Sequence, residues 1–143
     1  MAPPAAYMGL RDESLVRVRD ALRAAAEEPG GTSFSLGGLG LDGVEMAGKT
    51  GTAQVYSITA AERESGVRTQ LDLPWRLRDH GLFVCYAPAD NPKYAVVVVV
   101  EHGGGSSAAT RPARDILRRV VARDPSSRPG VFADFGNMAR SGS

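Results

Sequence analysis

Two residue patterns in the stretch Gly43 to Val55 could do chemistry, and they share one lysine. Gly43, Gly48, Lys49 and Thr50 fit G-x-x-x-x-G-K-[ST], in which loop amides and a helix N-terminus cradle phosphates. Lys49, Thr50, Gly51 and Thr52 instead form a Lys-Thr-Gly triad with a following threonine. On a strand, that set binds an extended peptide by main-chain hydrogen bonds. Glycine at 51 lets a substrate lie close to the strand. The Thr50 and Thr52 hydroxyls can take a carboxylate. The Lys49 ammonium supplies positive charge that can tune a neighbouring serine. The Thr52 N–H can donate to a tetrahedral oxyanion, where one donor is worth roughly 3–4 kcal/mol.

The flanking residues separate the two. A phosphate loop needs a buried strand before it and a helix after it. Here "SFSLGGLGLD" precedes Gly43, and Thr52, Val55, Tyr56 and Ile58 follow, which favour strand. The run "AVVVVVE" resembles a magnesium-holding strand of nucleotide enzymes. It follows a tight turn at Pro92, however, whereas parallel strands need a longer crossover.

The elements that must position Lys49 are legible. A helix is expected over Asp12 to Glu28, with Leu15, Val18, Leu22 and Ala25 on one face and Asp12 as its cap. Pro29-Gly30-Gly31 stops it. Glu27 and Glu28 oppose the helix dipole there, a local misfit. Strands are expected over Gly43–Ile58, Asp79–Ala87 and Lys93–Glu101, with a short helix at Ala60–Ser65. The turn Ala89-Asp90-Asn91-Pro92 makes the last two strands an antiparallel hairpin. The continuous apolar run of the third predicts burial on both faces. A final helix, capped by Ser106 or Ser107, runs to about Arg123, with Ala109, Ala113, Ile116, Leu117, Val120 and Val121 inward. The order is an α+β layout.

Composition sets bounds. The chain has 143 residues, 43% hydrophobic and 23% charged, as in one globular domain or part of one. A net charge of +1 gives no electrostatic case for nucleic acid or a membrane surface. Lys49 and Lys93 are the only lysines in an arginine-rich chain, and Cys85 is the single cysteine. The N-terminus reads as no signal peptide, and Ala95–Val100 is far shorter than the roughly 20 residues of a membrane helix.

Longer stretches carry a family resemblance. "MAGKTGTAQV" (Met46–Val55), "RLRDHGLFVCYAPADNPKYAVVVVVEHGGGSSAA" (Arg76–Ala109) and "EEPGGT" (Glu27–Thr32) occur in one order. Together they resemble the C-terminal part of the transpeptidase domain of class B penicillin-binding proteins, of the elongation type called penicillin-binding protein 2. The resemblance covers about residues 5–123, and 124–143 reads as a flexible tail, although its Val131, Phe132 and Phe135 could dock.

The resemblance implies a partial penicillin-binding fold, with three of five antiparallel strands and flanking helices. It implies a peptidoglycan D,D-transpeptidase that cross-links D-Ala-D-Ala stem peptides through an acyl-serine and binds β-lactams, without a cofactor or metal. It assigns Lys49 a catalytic-site role, Thr50, Gly51 and Thr52 substrate binding, and Thr52 the oxyanion N–H. It also implies a membrane-anchored parent with a periplasmic catalytic domain.

The family's other two motifs are absent from these residues. Met46 and Asp90 stand three places before the lysines, so no S-x-x-K occurs. Ala89 and Phe135 stand two places before Asn91 and Asn137, so no S-x-N occurs. The nucleophile belongs to the missing N-terminal half, and this chain alone is expected to be inactive. The family's first strand would pair with Lys93–Glu101, so that edge is expected to self-associate when bare. The alternatives are a non-catalytic sheet-edge interaction module and a nucleotide-binding domain.

The remaining polar residues read as structural. His80 and His102, with Asp79 and Glu101, fall short of a full metal set as strand-end residues. Ser106 and Ser107 near His102 read as helix caps rather than a nucleophile. Trp75 is expected to pack the loop between the first two strands, with a substrate-shaping role implied by the resemblance. Cys85, Phe83 and Tyr86 read as core or sheet surface.

Overall fold

The computed structural model describes residues 9–66 and 69–124; residues 5–8 and the tail with Val131, Phe132 and Phe135 lie outside them. Helix α1 spans Asp12–Glu27. Strand β1 spans Ala47–Ala53, and helix α2 spans Ala60–Ser65. Strands β2 (His80–Ala87) and β3 (Tyr94–Val100) form the hairpin, and helix α3 spans Ser107–Arg123. Short 3-10 turns lie at Phe34–Leu36 and Trp75–Leu77.

The three strands form one antiparallel sheet in the order β1-β2-β3. Registers Gly48↔Cys85↔Val96 and Thr50↔Phe83↔Val98 put these residues on one face. Alternation turns Lys49, Val84 and Val97 to the other. Helix α3 packs on β2 and β3. Between them lies a core containing Phe83, Cys85, Ala109, Ala113, Leu117 and Val121, with Met46, Leu39 and Ala26 joining it. Among the described residues no helix is long and apolar enough to cross a membrane.

Several expectations need correction. Arg11, not Asp12, holds the N-cap position of α1, and no side chain caps it. Val18 is exposed, because burial deepens only toward Ala26, where the helix lies beside β1. The first strand is shorter than Gly43–Ile58, since β2 offers partners only from Ala47 to Ala53. Strand β3 is not buried on both faces. Tyr94, Val96, Val98 and Val100 pack on the core, while Val97 and Val99 are 63% and 55% exposed. The reason is that α3 covers one face only.

At α3, Ser106 occupies the cap position without a side-chain bond. Thr110 is buried in the helix face where Ile116 and Val120 were expected; those two are exposed. Trp75 is also exposed and meets the His102 ring edge-on, 4.6 Å between centroids, rather than packing into its loop. The short helix at Ala60–Ser65 is as expected, closed by a capping box between Thr59 and Glu62.

Candidate active-site strand

Lys49, Thr50, Gly51 and Thr52 all lie on β1, which pairs with β2 on one side and is a sheet edge among the described residues. Its neighbours in register are Val84, Phe83, Leu82 and Gly81. The pleat sends Lys49 and Gly51 to one face and Thr50 and Thr52 to the other. Lys49 nevertheless reaches the Thr50 side: its Nζ donates to the Thr50 carbonyl at 3.0 Å and to Thr50 Oγ1 at 3.2 Å. An ammonium and a hydroxyl are thereby brought together on an exposed strand edge. Thr52 is exposed two residues on.

The two glycines of this strand differ. A Cβ added at Gly48 would stand 2.8 Å from Phe83 Cζ and from the Val84 carbonyl oxygen. Gly48 is therefore required by packing against β2. A Cβ at Gly51 would meet only Leu82 Cβ, at 3.4 Å, an ordinary contact. Nothing among the described residues demands glycine at 51.

Both ends of β1 are held by carboxylates, a role that the sequence pattern did not give them. At its start, the Met46 N–H donates to Glu27 Oε1 at 2.8 Å. Glu28 meanwhile pairs with Arg23 at 2.7 Å. The glutamates at the helix end thus have partners that offset the dipole misfit. At the other end, the Val55 N–H donates to Asp79 Oδ1 at 2.9 Å. Asp79 and Gln70 clasp each other: Gln70 Nε2 donates to Asp79 Oδ2 at 3.0 Å, and the Asp79 N–H donates to Gln70 Oε1 at 2.8 Å. The signal that could have found Glu27 was its place in the "EEPGGT" stretch. Asp79 and Gln70 are nine residues apart in a polar loop with no periodicity to link them.

The histidines are engaged with the backbone. His80 Nδ1 accepts the His102 N–H at 2.9 Å, and His102 Nδ1 lies 3.1 Å from the Arg78 carbonyl. Among the described residues no group of three His, Cys, Asp or Glu side chains is placed to hold a metal. Cys85 is fully buried, and that burial pushes its thiol pKa up to about 11. The phosphate-loop pattern has no helix N-terminus to use, because Gly48, Lys49 and Thr50 are in mid-strand and the next helix begins at Ala60.

Residues 8–120 match the family described as the penicillin-binding protein transpeptidase domain. The chain belongs to that family. Over 105 residues it is 37% identical to the peptidoglycan D,D-transpeptidase MrdA of Acinetobacter baumannii, covering 73% of this chain and 14% of that protein. It is 32% identical over 120 residues to MrdA of Escherichia coli, covering 80% of this chain and 18% of that protein. The crystal structure of Pseudomonas aeruginosa PBP2 in complex with WCK 5153 superposes with a TM-score of 0.55 at 28% identity, covering 83% of this chain and 22% of that one. The likeness is therefore to the PBP2 type, and the α+β fold is a partial transpeptidase fold. The chain spans less than a fifth of the length of these two curated relatives.

Proposed function

We propose that this chain supplies the Lys-Thr-Gly wall of a peptidoglycan D,D-transpeptidase site, and that the attacking serine comes from residues outside it. The observation that carries this reading is Gly51. Among the described residues it sits on an open strand edge, beside Lys49 and Thr50, with no contact that forbids a side chain. Its missing side chain leaves room for something outside the fold, and an added peptide strand is the fitting occupant.

In this reading a stem peptide ending in D-Ala-D-Ala, or a β-lactam, lies along β1. Thr50 and Thr52 hydroxyls receive its carboxylate. Lys49 lowers the cost of negative charge at the reacting centre and supports proton transfer from the serine. The Thr52 N–H donates to the oxyanion as the acyl-serine forms. The acyl group then passes to an amine of a second stem peptide. The missing part of the domain is the chain's first partner, and a membrane-anchored, periplasmic parent follows from the same reading.

The test uses fluorescent penicillin with intact-mass detection. Chain alone should form no adduct; a penicilloyl adduct on it would overturn the missing-nucleophile reading. Combined with an upstream transpeptidase half carrying S-x-x-K and S-x-N, acylation should appear on that half. Lys49→Ala should then cut its rate by at least about a hundredfold, the scale of losing one site donor. An unchanged rate would remove Lys49 from the site.

A further inference from the structure

Asp79, the residue before β2, has a partner for each of its polar groups, and the partners come from three separate segments. Its Oδ1 accepts the Val55 N–H at 2.9 Å, just past the end of β1. Its Oδ2 accepts from Gln70 Nε2 at 3.0 Å, and its own N–H donates to Gln70 Oε1 at 2.8 Å, both in the loop after α2. Its carbonyl accepts the Gly104 N–H at 2.9 Å, from the turn before α3. A carboxylate suits this place, because each oxygen can take a donor from a different segment.

The three segments meet at one end of the candidate site strand. The β1–β2 ladder ends with Thr52↔Gly81 and Ala53↔His80. Beyond it, the Asp79 carboxylate takes the Val55 N–H as a backbone carbonyl would in a longer ladder. The turn before α3 backs the same end. A Cβ added at Gly81, the residue opposite Thr52, would run into the Gly105 carbonyl. Thr52 thus lies three residues from an anchored amide and is paired with a residue that this turn supports. All of these contacts form between residues 52 and 105, so they do not depend on what precedes the chain.

We infer that Asp79 is a positioning residue for the D,D-transpeptidase site. Through Val55 and the Gly104 turn it fixes the end of β1, so that the Thr52 N–H is aimed at the developing oxyanion. This inference rests on the catalytic reading of β1, and Asp79 touches no substrate in it. A donor aimed in advance needs no reorganisation as charge develops. It speeds acylation without tightening the complex that forms before reaction. Gln70 in turn holds the carboxylate that holds β1.

Two measurements test this separately. In the chain by itself, hydrogen exchange reads the bond to Val55. Asp79→Ala should speed exchange of the Val55 amide about tenfold, the scale of one hydrogen bond. Asp79→Asn keeps a carbonyl oxygen for that N–H and should leave its exchange slow. In the domain completed by an upstream half with S-x-x-K and S-x-N, stopped-flow acylation by penicillin separates initial binding from the acylation step. Asp79→Ala should lower the acylation rate constant about tenfold, short of the loss of a whole oxyanion donor, with initial binding little changed. Asp79→Asn should recover most of that rate, yet lose stability in urea, because it cannot satisfy Gln70 in both bonds. Gln70→Ala should lose stability with a rate near the parent's. A rate that follows stability through these variants would mean a purely structural role and would overturn the inference. The Asp79→Asn and Gln70→Ala pair decides this even if Asp79→Ala does not fold. Unchanged Val55 exchange in Asp79→Ala, or an equal loss in binding and rate, would overturn it too, with the catalytic reading left standing. If the parent is not acylated at all, the catalytic reading fails and takes the positioning role with it, whatever the exchange shows.

Discussion

The Glu27 carboxylate accepts the Met46 N–H at 2.8 Å, tying the last turn of α1 to the residue before β1. Met46 has no exposed surface, so water cannot replace this acceptor. Glu27→Ala should cost about 1–3 kcal/mol, the penalty of a buried donor left unpaired. Glu27→Gln keeps an acceptor oxygen and should cost clearly less. Urea unfolding of both variants measures the difference. Equal losses would mean that the hydrogen bond is not what the side chain contributes.

Gly48 and Gly51 should respond differently to the same change. Gly48→Ala drives a methyl into Phe83 and the Val84 carbonyl, and overpacking of this kind costs roughly 1–3 kcal/mol. Gly51→Ala should leave stability within about 0.5 kcal/mol, as at a site without a named packing conflict. In a reconstituted domain, Gly51→Ala should still slow acylation by penicillin. If Gly51→Ala destabilised the fold as much as Gly48→Ala, the glycine would serve packing rather than access.

Cys85 should be inert in the folded chain. It is buried, and its thiol pKa is raised to about 11, so the thiolate is scarce at pH 8. Iodoacetamide should label it slowly in buffer and rapidly in denaturant. Fast labelling of native protein at pH 8 would show that β2 opens readily.

Tyr94 links pH to the seating of α3. Its hydroxyl donates to Asp124 Oδ2 at 2.8 Å, and that bond, followed by burial and the Asp124 charge, raises its pKa. A raised folded-state value means the folded protein holds the proton more tightly. The contribution is complete below the ordinary tyrosine range and is lost as pH rises through the raised value. Tyr94→Phe should lower the melting temperature at neutral pH. The gap between variant and parent should close above about pH 10, the ordinary tyrosine value. Comparing the two proteins at each pH removes the background from Cys85, which titrates in the same region. A gap that stays constant with pH would rule out the bond as its source.

Much of the fold could be read locally. The β2–β3 hairpin followed from Ala89-Asp90-Asn91-Pro92 between two apolar runs, and the short helix at Ala60–Ser65 was also expected. Lys49 to Thr52 on a strand followed from the β-forming residues around them. Harder to read were the sides of elements. Five consecutive valines looked buried throughout, yet only alternate ones meet α3. Ile116 and Val120 have helical spacing close to that of a core face, but α3 buries Ala109, Thr110, Ala113, Leu117 and Val121 instead, and leaves those two exposed.

The sequence by itself determined the elements, their order and the motif they carry. Turn chemistry, capping and side-chain preference act over a few residues. The tertiary structure decided that, among the described residues, β1 and β3 flank β2 in the sheet, and that Lys49 folds back to Thr50. It also placed Glu27 and Asp79 at opposite ends of β1. These depend on residues distant in the chain, such as Glu27 with Met46 or Val55 with Asp79. Only the strand register brings such donors and acceptors within hydrogen-bonding distance, and no local pattern of residue types encodes it.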